Sequence, residues 1–302
     1  MGWWLFVLCL AYLSIMTFGH LQDRLILFPT RSPIDAGGAV RKTIPFESGE
    51  LEIWTAQSRR AQQQGRADVF ILRFYGNADR ADRWPVMEAE MWNDCAVEIW
   101  GVNYPGFGGS TGPARLSSIA PAALAAFVEL QRQAASQSVV ASAVPSGSSN
   151  LALTEAQPTA PIVLFGTSIG VTAALHVAAS HPTEIAGLIL HNPVPLREVI
   201  LRQFGWWNLW LLAGPVALQI PQDLDSIANA RASRAPAIFL LAEKDEIVAP
   251  RFHQLIVEAY AGEKRIIELP DAHHNDPIEG NALAEMNDAL DWMLTKSPPS
   301  TH

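Results

Sequence analysis

Six apolar runs of strand length recur along the chain, at 69–74, 96–102, 162–165, 187–191, 237–242 and 265–269. Amphipathic helical patterns separate them, at 81–92, 117–135, 169–179, 251–261 and 282–294. Strands that are apolar nearly throughout are buried on both faces, and helices lying between them provide the cover. The pattern therefore predicts an α/β domain with a mostly parallel central sheet and helices on both sides. Two earlier runs, 40–46 and 51–56, flank Ser48-Gly49 and read as a hairpin leading into that sheet. Ligands of such sheets bind beyond the carboxyl ends of the strands, so the chemistry is expected just after these runs.

Composition limits the function. The 302 residues include 21 basic and 30 acidic side chains, a formal charge of −9, and no basic run. A nucleic-acid partner, whose phosphates require a Lys/Arg surface, is not expected. Two cysteines, Cys9 and Cys95, cannot build a disulfide framework or a cysteine-based metal site. With 49% hydrophobic and 17% charged residues the chain is not globally disordered.

The first 21 residues read as a membrane anchor. From Trp3 to Phe18 there is no charge, and Trp3, Trp4 and Tyr12 have membrane-interface character. A cleaved signal peptide is the rival reading, but no Lys or Arg precedes Asp23 and Thr17-Phe18-Gly19 is a poor cleavage site. A buried core helix is the third. Arg24, Arg31, Arg41 and Lys42 follow the segment, so the positive-inside rule leans towards a single-pass protein with its domain, residues 22–296, in the cytoplasm. The stretch 131–160 is built from Ala, Ser, Gln, Pro and Gly without aromatics and reads as a flexible surface insertion; 297–302 reads as a disordered tail.

The apolar run at 162–165 leads straight into Gly166-Thr167-Ser168-Ile169-Gly170 and then a helical pattern. This is G-x-S-x-G between a strand and a helix, the arrangement that holds a serine on a strained turn at a helix N-terminus. Partners for such a serine follow in the order acid, then histidine. The loop after 237–242 holds Glu243, Asp245 and Glu246; the loop after 265–269 holds His273 and His274. From spacing alone, each loop leaves more than one choice.

Further motifs give the chain a family resemblance. They are Gln22-Asp23-Arg24-Leu25-Ile26-Leu27-Phe28-Pro29, Tyr75-Gly76-Asn77-Ala78, Tyr104-Pro105-Gly106-Phe107-Gly108-Gly109-Ser110-Thr111-Gly112, the acid loop 243–250, and His274-Asn275-Asp276. With these the chain resembles the α/β-hydrolase superfamily, in particular its membrane-anchored, single-domain serine hydrolases, from about Leu21 to Leu294 outside the 131–160 insertion. The resemblance implies a Ser168–His274–Asp245 triad, His274 being the histidine of the His-Asn-Asp pattern. It also implies an oxyanion hole from the backbone N–H groups of Ile169 and Asn77, an acyl-enzyme intermediate, and no cofactor. Tyr75 stands where the family usually has histidine, and Asp79 where it usually has glycine; Tyr75 is expected at the substrate.

The connection 193–235 carries Trp206, Trp207 and Trp210 among other apolar residues. It reads as a lid whose tryptophans contact a lipophilic acyl substrate or a membrane; the bland alternative is a helix packed on the core. Gly106-Phe107-Gly108 lacks the third glycine of a dinucleotide loop, and His273, His274 and Asp276 have no supporting ligand pattern for a metal. The expectation is a serine hydrolase of an ester, thioester or amide. A peptidase of serine aminopeptidase type, acyl transfer to another acceptor and a non-catalytic tethered scaffold are the rivals, and the oligomeric state is open.

Overall fold

The computed structural model describes residues 2–296 except 19, 93, 143–158 and 209. One eight-stranded sheet organises them. Its strands are β1 (Val40–Phe46), β2 (Gly49–Gln57), β3 (Val69–Phe74), β4 (Val97–Val102), β5 (Ile162–Thr167), β6 (Gly187–His191), β7 (Ala237–Ala242) and β8 (Lys264–Leu269). The spatial order is β1-β2-β4-β3-β5-β6-β7-β8, antiparallel through β1, β2 and β4 and parallel from β4 to β8. This is the α/β-hydrolase fold. Side chains along the central parallel strands alternate between two cores, whereas edge strand β8 buries only Ile267 and Leu269, both in one of them. Phe70, Leu72 and Phe74 of β3 join one, and Val69 and Ile71 the other, as the two-residue period of a strand requires.

Helices α5 (Ile119–Ser142), α6 (Ile169–Ser180) and α10 (Pro250–Ala259) contribute Phe127, Leu175 and Phe252 to the first core. A short helix α3 (Arg59–Gln64) follows β2, and helices α4 (Pro85–Glu90) and α11 (Gly280–Lys296) close the second core, with Ala89, Leu290 and Met293. Two expectations about helices change. The pattern at 81–92 shrinks to α4, because Arg80 and Asp82 pair with each other in a buried turn before Pro85. The segment read as an insertion begins as helix. Helix α5 runs on to Ser142, with Ala126, Leu130 and Ala134 buried at four-residue spacing. Alanine and glutamine are good helix formers, so once this stripe is docked the helix continues into 131–142. The rest of the expected insertion, and the expected tail, lie outside the described residues.

The N-terminal segment also differs. Helix α1 (Gly2–Phe18) has 17 residues, about 25 Å at ~1.5 Å per residue. No helix among the described residues is long and apolar enough to cross a membrane. Leu21 is not part of α1. The backbone turns at His20, in the left-handed region at φ 45°, and a separate helix α2 (Leu21–Ile26) begins, with Gln22 and Asp23 buried against the domain. Asp23 Oδ1 accepts from the Leu116 N–H at 2.9 Å. The first helix therefore ends at Phe18, short of the boundary expected at residue 21. Between β6 and β7 the expected lid folds as α7 (Leu196–Gln203), α8 (Ala213–Leu218) and α9 (Ser226–Ala232), with single helical turns at Trp206–Asn208 and Gln222–Leu224.

Candidate active site

The carboxyl ends of β3, β5, β6, β7 and β8 converge on one corner. Ser168 lies between β5 and α6 with φ 53° and ψ −120°, a region that a residue with a Cβ occupies only under strain. The flanking glycines make this turn possible. A Cβ on Gly170 would stand 2.2 Å from the Phe74 carbonyl oxygen, and one on Gly166 would stand 2.6 Å from the Gly170 carbonyl oxygen. Only glycine lets α6 pack so closely on β3 and β5. The turn is pinned by the Ser168 N–H, which donates to His191 O at 2.9 Å.

The loop after β3 lies beside the serine: a Cβ on Gly76 would be 3.9 Å from Ser168 Cβ. The next residue, Asn77, is tied down on its far side. Its amide donates to Ile26 O at 2.8 Å and its carbonyl accepts from the Phe28 N–H at 2.9 Å. Among the described residues, neither the Asn77 nor the Ile169 backbone N–H donates to a protein acceptor, and Ile169 is the first residue of α6. The unspent Ile169 N–H thus adjoins Ser168 at a helix N-terminus, and the unspent Asn77 N–H lies one residue past Gly76.

Tyr75 does not face this space. It is buried, its hydroxyl donates to Glu88 Oε2 at 2.9 Å, and its ring packs on the Arg73 guanidinium 4.5 Å away. Burial, then the Glu88 charge, pushes the phenol well above its usual pKa. The expected substrate contact is replaced by a structural role. Arg73 donates to Glu88 Oε1 at 2.7 Å, Phe74 O at 2.8 Å and Thr167 Oγ1 at 2.9 Å, so the residue before Ser168 is held from beneath.

Of the two candidate histidines, His274 is the buried one, and its Nδ1 donates to Asp245 Oδ2 at 2.5 Å. His273 is exposed and pairs with Glu246 at 3.0 Å. Glu243 accepts from the Asp271 N–H at 3.0 Å instead. The geometry thus selects Asp245 and His274 as the paired groups of the two loops. Among the described residues no hydrogen bond joins Ser168 Oγ to the His274 ring. Burial alone would raise the Asp245 pKa. Hydrogen bonds from His253, His274 and the Val248 N–H outweigh it and hold the group far below the usual carboxylate range.

Supporting residues that sequence reasoning had missed gather here. Asn192, itself at φ 47°, donates to His274 O at 2.9 Å and accepts from the Ala242 N–H at 2.9 Å, so it joins the ends of β6 and β7 to the histidine loop. His191 is lowered to about 3 by burial first, then by Arg73, His274 and His253, and is neutral at ordinary pH. His253 of α10 also bonds Asp245, at the same Oδ2 that His274 meets. A polar residue just past an apolar strand, as in His191-Asn192-Pro193, is the one signal that could have drawn attention to this support. Trp206, Trp207 and Trp210 lie on the connection between β6 and β7, the cap, half or more exposed, with Trp210 Nε1 donating to Leu201 O at 2.9 Å. Among the described residues no group of three or more His, Cys, Asp or Glu is arranged to hold a metal ion.

No protein-family model matches the chain. An uncharacterized protein of Mycobacterium tuberculosis is 26% identical over 300 residues, 94% of this chain and 90% of the relative. An uncharacterized membrane protein of Saccharomyces cerevisiae is 32% identical over 120 residues, 39% of this chain and 40% of the relative. Among solved structures, Est1E of Butyrivibrio proteoclasticus superposes with a TM-score of 0.63 at 13% identity, over 85% of this chain and 99% of that one. An esterase of Pyrococcus furiosus superposes with a TM-score of 0.59 at 14% identity, over 90% of this chain and 97% of that one.

Proposed function

This chain is an α/β-hydrolase by fold, and from that premise we propose that it is a serine hydrolase cleaving an ester, thioester or amide, with a lipophilic acyl group preferred. One observation carries the reading. A serine held at positive φ on a helix N-terminus shares a sheet edge with a buried carboxylate bonded to an imidazole at 2.5 Å. The esterase among the structural neighbours adds to it. In the proposed reaction Ser168 Oγ attacks the acyl carbon while His274 Nε2 takes the hydroxyl proton, and Asp245 holds the ring in that tautomer and stabilises its cation. The Ile169 and Asn77 N–H groups receive the negative charge that develops on the carbonyl oxygen. A donor so placed is worth about 3 kcal/mol in the transition state. His274 returns the proton to the leaving oxygen, sulfur or nitrogen. Water, deprotonated by the same ring, then releases the acid from the acyl-serine.

The preference for lipophilic substrates, and attachment to a membrane through α1, rest on exposed apolar surface. Trp3, Trp4, Leu5, Phe6, Leu8 and Leu10 of α1 are exposed, as are Trp206, Trp207, Trp210, Leu211 and Leu218 on the cap. The Tyr12 hydroxyl donates to Leu211 O, so the two sets adjoin. The yeast relative carries "membrane protein" in its name. A panel of p-nitrophenyl esters from acetate to laurate, with matched thioesters and anilides, tests the function. The reading predicts turnover that rises with chain length and disappears in Ser168→Ala. Equal turnover by wild type and Ser168→Ala would overturn it.

A further inference from the structure

His253 is the least expected member of the corner. It is the fourth residue of α10, 1% exposed, and both ring nitrogens have partners: Nδ1 meets Pro193 O at 2.8 Å and Nε2 meets Asp245 Oδ2 at 3.0 Å. A carbonyl oxygen can only accept, so Nδ1 carries a hydrogen. Asp245 also takes hydrogen bonds from His274 Nδ1 at 2.5 Å, the Ile247 N–H at 2.9 Å and the Val248 N–H at 2.7 Å. Apart from His253, three donors already aim at this one carboxyl, two backbone N–H groups at Oδ1 and His274 at Oδ2, which is how a carboxylate is held; it accepts only. Nε2 must then carry a hydrogen as well. A neutral ring would either abandon Pro193 or turn a lone pair towards the carboxylate.

We propose that His253 is an imidazolium, the buried counter-ion of Asp245, and that it sets the acid limit of the reaction by neutralising the charge that His274 meets. The proposal rests on the triad reading for its catalytic consequence and on hydrogen-bond geometry alone for its charge. Other charges do not substitute for it. His191 at the end of β6 is neutral, and Arg73 is engaged by Glu88 beneath the Ser168 turn. Arg197 of α7 pairs with Asp225 at 3.3 Å. Arg231 of α9, Arg251 and Glu258 of α10, and Glu246 of the acid loop are exposed. With Asp245 paired to a cation, protonating His274 gains less from it, so the base form persists to lower pH. Remove the cation and the carboxylate favours protonated His274 more strongly.

Histidine ring-nitrogen NMR on the full-length chain labelled with 15N-histidine, with His253→Gln to assign the signal, reads the charge directly. Both His253 nitrogens are expected to carry hydrogens at pH 7; one bare nitrogen would overturn the proposal. The pH profile of kcat/KM gives the second reading. Glutamine can still donate to Asp245 but has no charge, so the acid limb of His253→Gln is expected to move up by about one pH unit. A limb that stays in place means His253 is only a neutral positioning group, and the proposal fails. If the His253→Gln substitution unfolds the protein, the wild-type spectrum still decides the charge. If the wild type hydrolyses nothing, the triad reading fails while the spectrum reports His253 independently.

Discussion

At the residue scale, the two histidine loop positions separate by what surrounds them. His274 is buried on Asp245, whereas His273 is exposed on Glu246. His274→Ala should lower kcat by about a thousandfold or more, and His273→Ala should stay within a few-fold of wild type, measured on the same ester. Asp245→Asn should cost activity and stability together, because an amide cannot accept from two histidines and two backbone N–H groups. Loss of a buried partner of this kind costs about 3–5 kcal/mol, which denaturant unfolding would show. Both loops were legible in the sequence, since each follows an apolar strand. His253 was not. Its contact with Asp245 exists only because Pro250 starts a helix that turns residue 253 back under the acid loop.

At the element scale, the strands were legible because continuous apolar runs bounded by polar turns leave little choice of position. The hairpin and the six later strands fall within a residue or two of their expected bounds. Helices were less legible where tertiary contacts decide their ends. A buried Arg80–Asp82 pair shortens α4, and an alanine stripe docked on the core lengthens α5. The strand–turn–helix unit around Ser168 depends on close backbone approach. A methyl on Gly170 would meet Phe74 O and C at 2.2 and 2.6 Å, and backbone of a buried strand cannot move aside cheaply. Gly170→Ala should therefore cost about 1–3 kcal/mol. It should also lower Tm by roughly 2–10 °C and depress kcat, because α6 would be pushed off β3. Unchanged Tm and kcat would mean that the turn tolerates a wider spacing than its geometry implies.

At the scale of the whole molecule, acid sensitivity and membrane contact are the properties to test. His191 titrates at about 3 in the folded chain because burial, then Arg73, His274 and His253, oppose its charge, whereas an unfolded histidine titrates near 6.5. Between those values the unfolded state binds the extra proton, so stability falls as pH drops through that window. One proton contributes about 1.4 kcal/mol per pH unit. Unfolding free energies of His191→Gln between about pH 6 and 4 should show a slope shallower by that amount. The apolar face shared by α1 and the cap predicts that liposome co-sedimentation falls when Trp206, Trp207 and Trp210 are changed together to Ser, and further when residues 2–18 are removed. The sequence pointed to that apolar surface but placed the end of its first helix too late, because the break at His20 is a backbone event without a distinctive residue pattern. Nucleophilic Ser168 is tested most directly by treating the intact protein with a fluorophosphonate and mapping the adduct by mass spectrometry. One covalent phosphonate on Ser168 is expected, absent from Ser168→Ala and strongly slowed in His274→Ala; folded wild type that stays unmodified, or carries the adduct elsewhere, would overturn the triad.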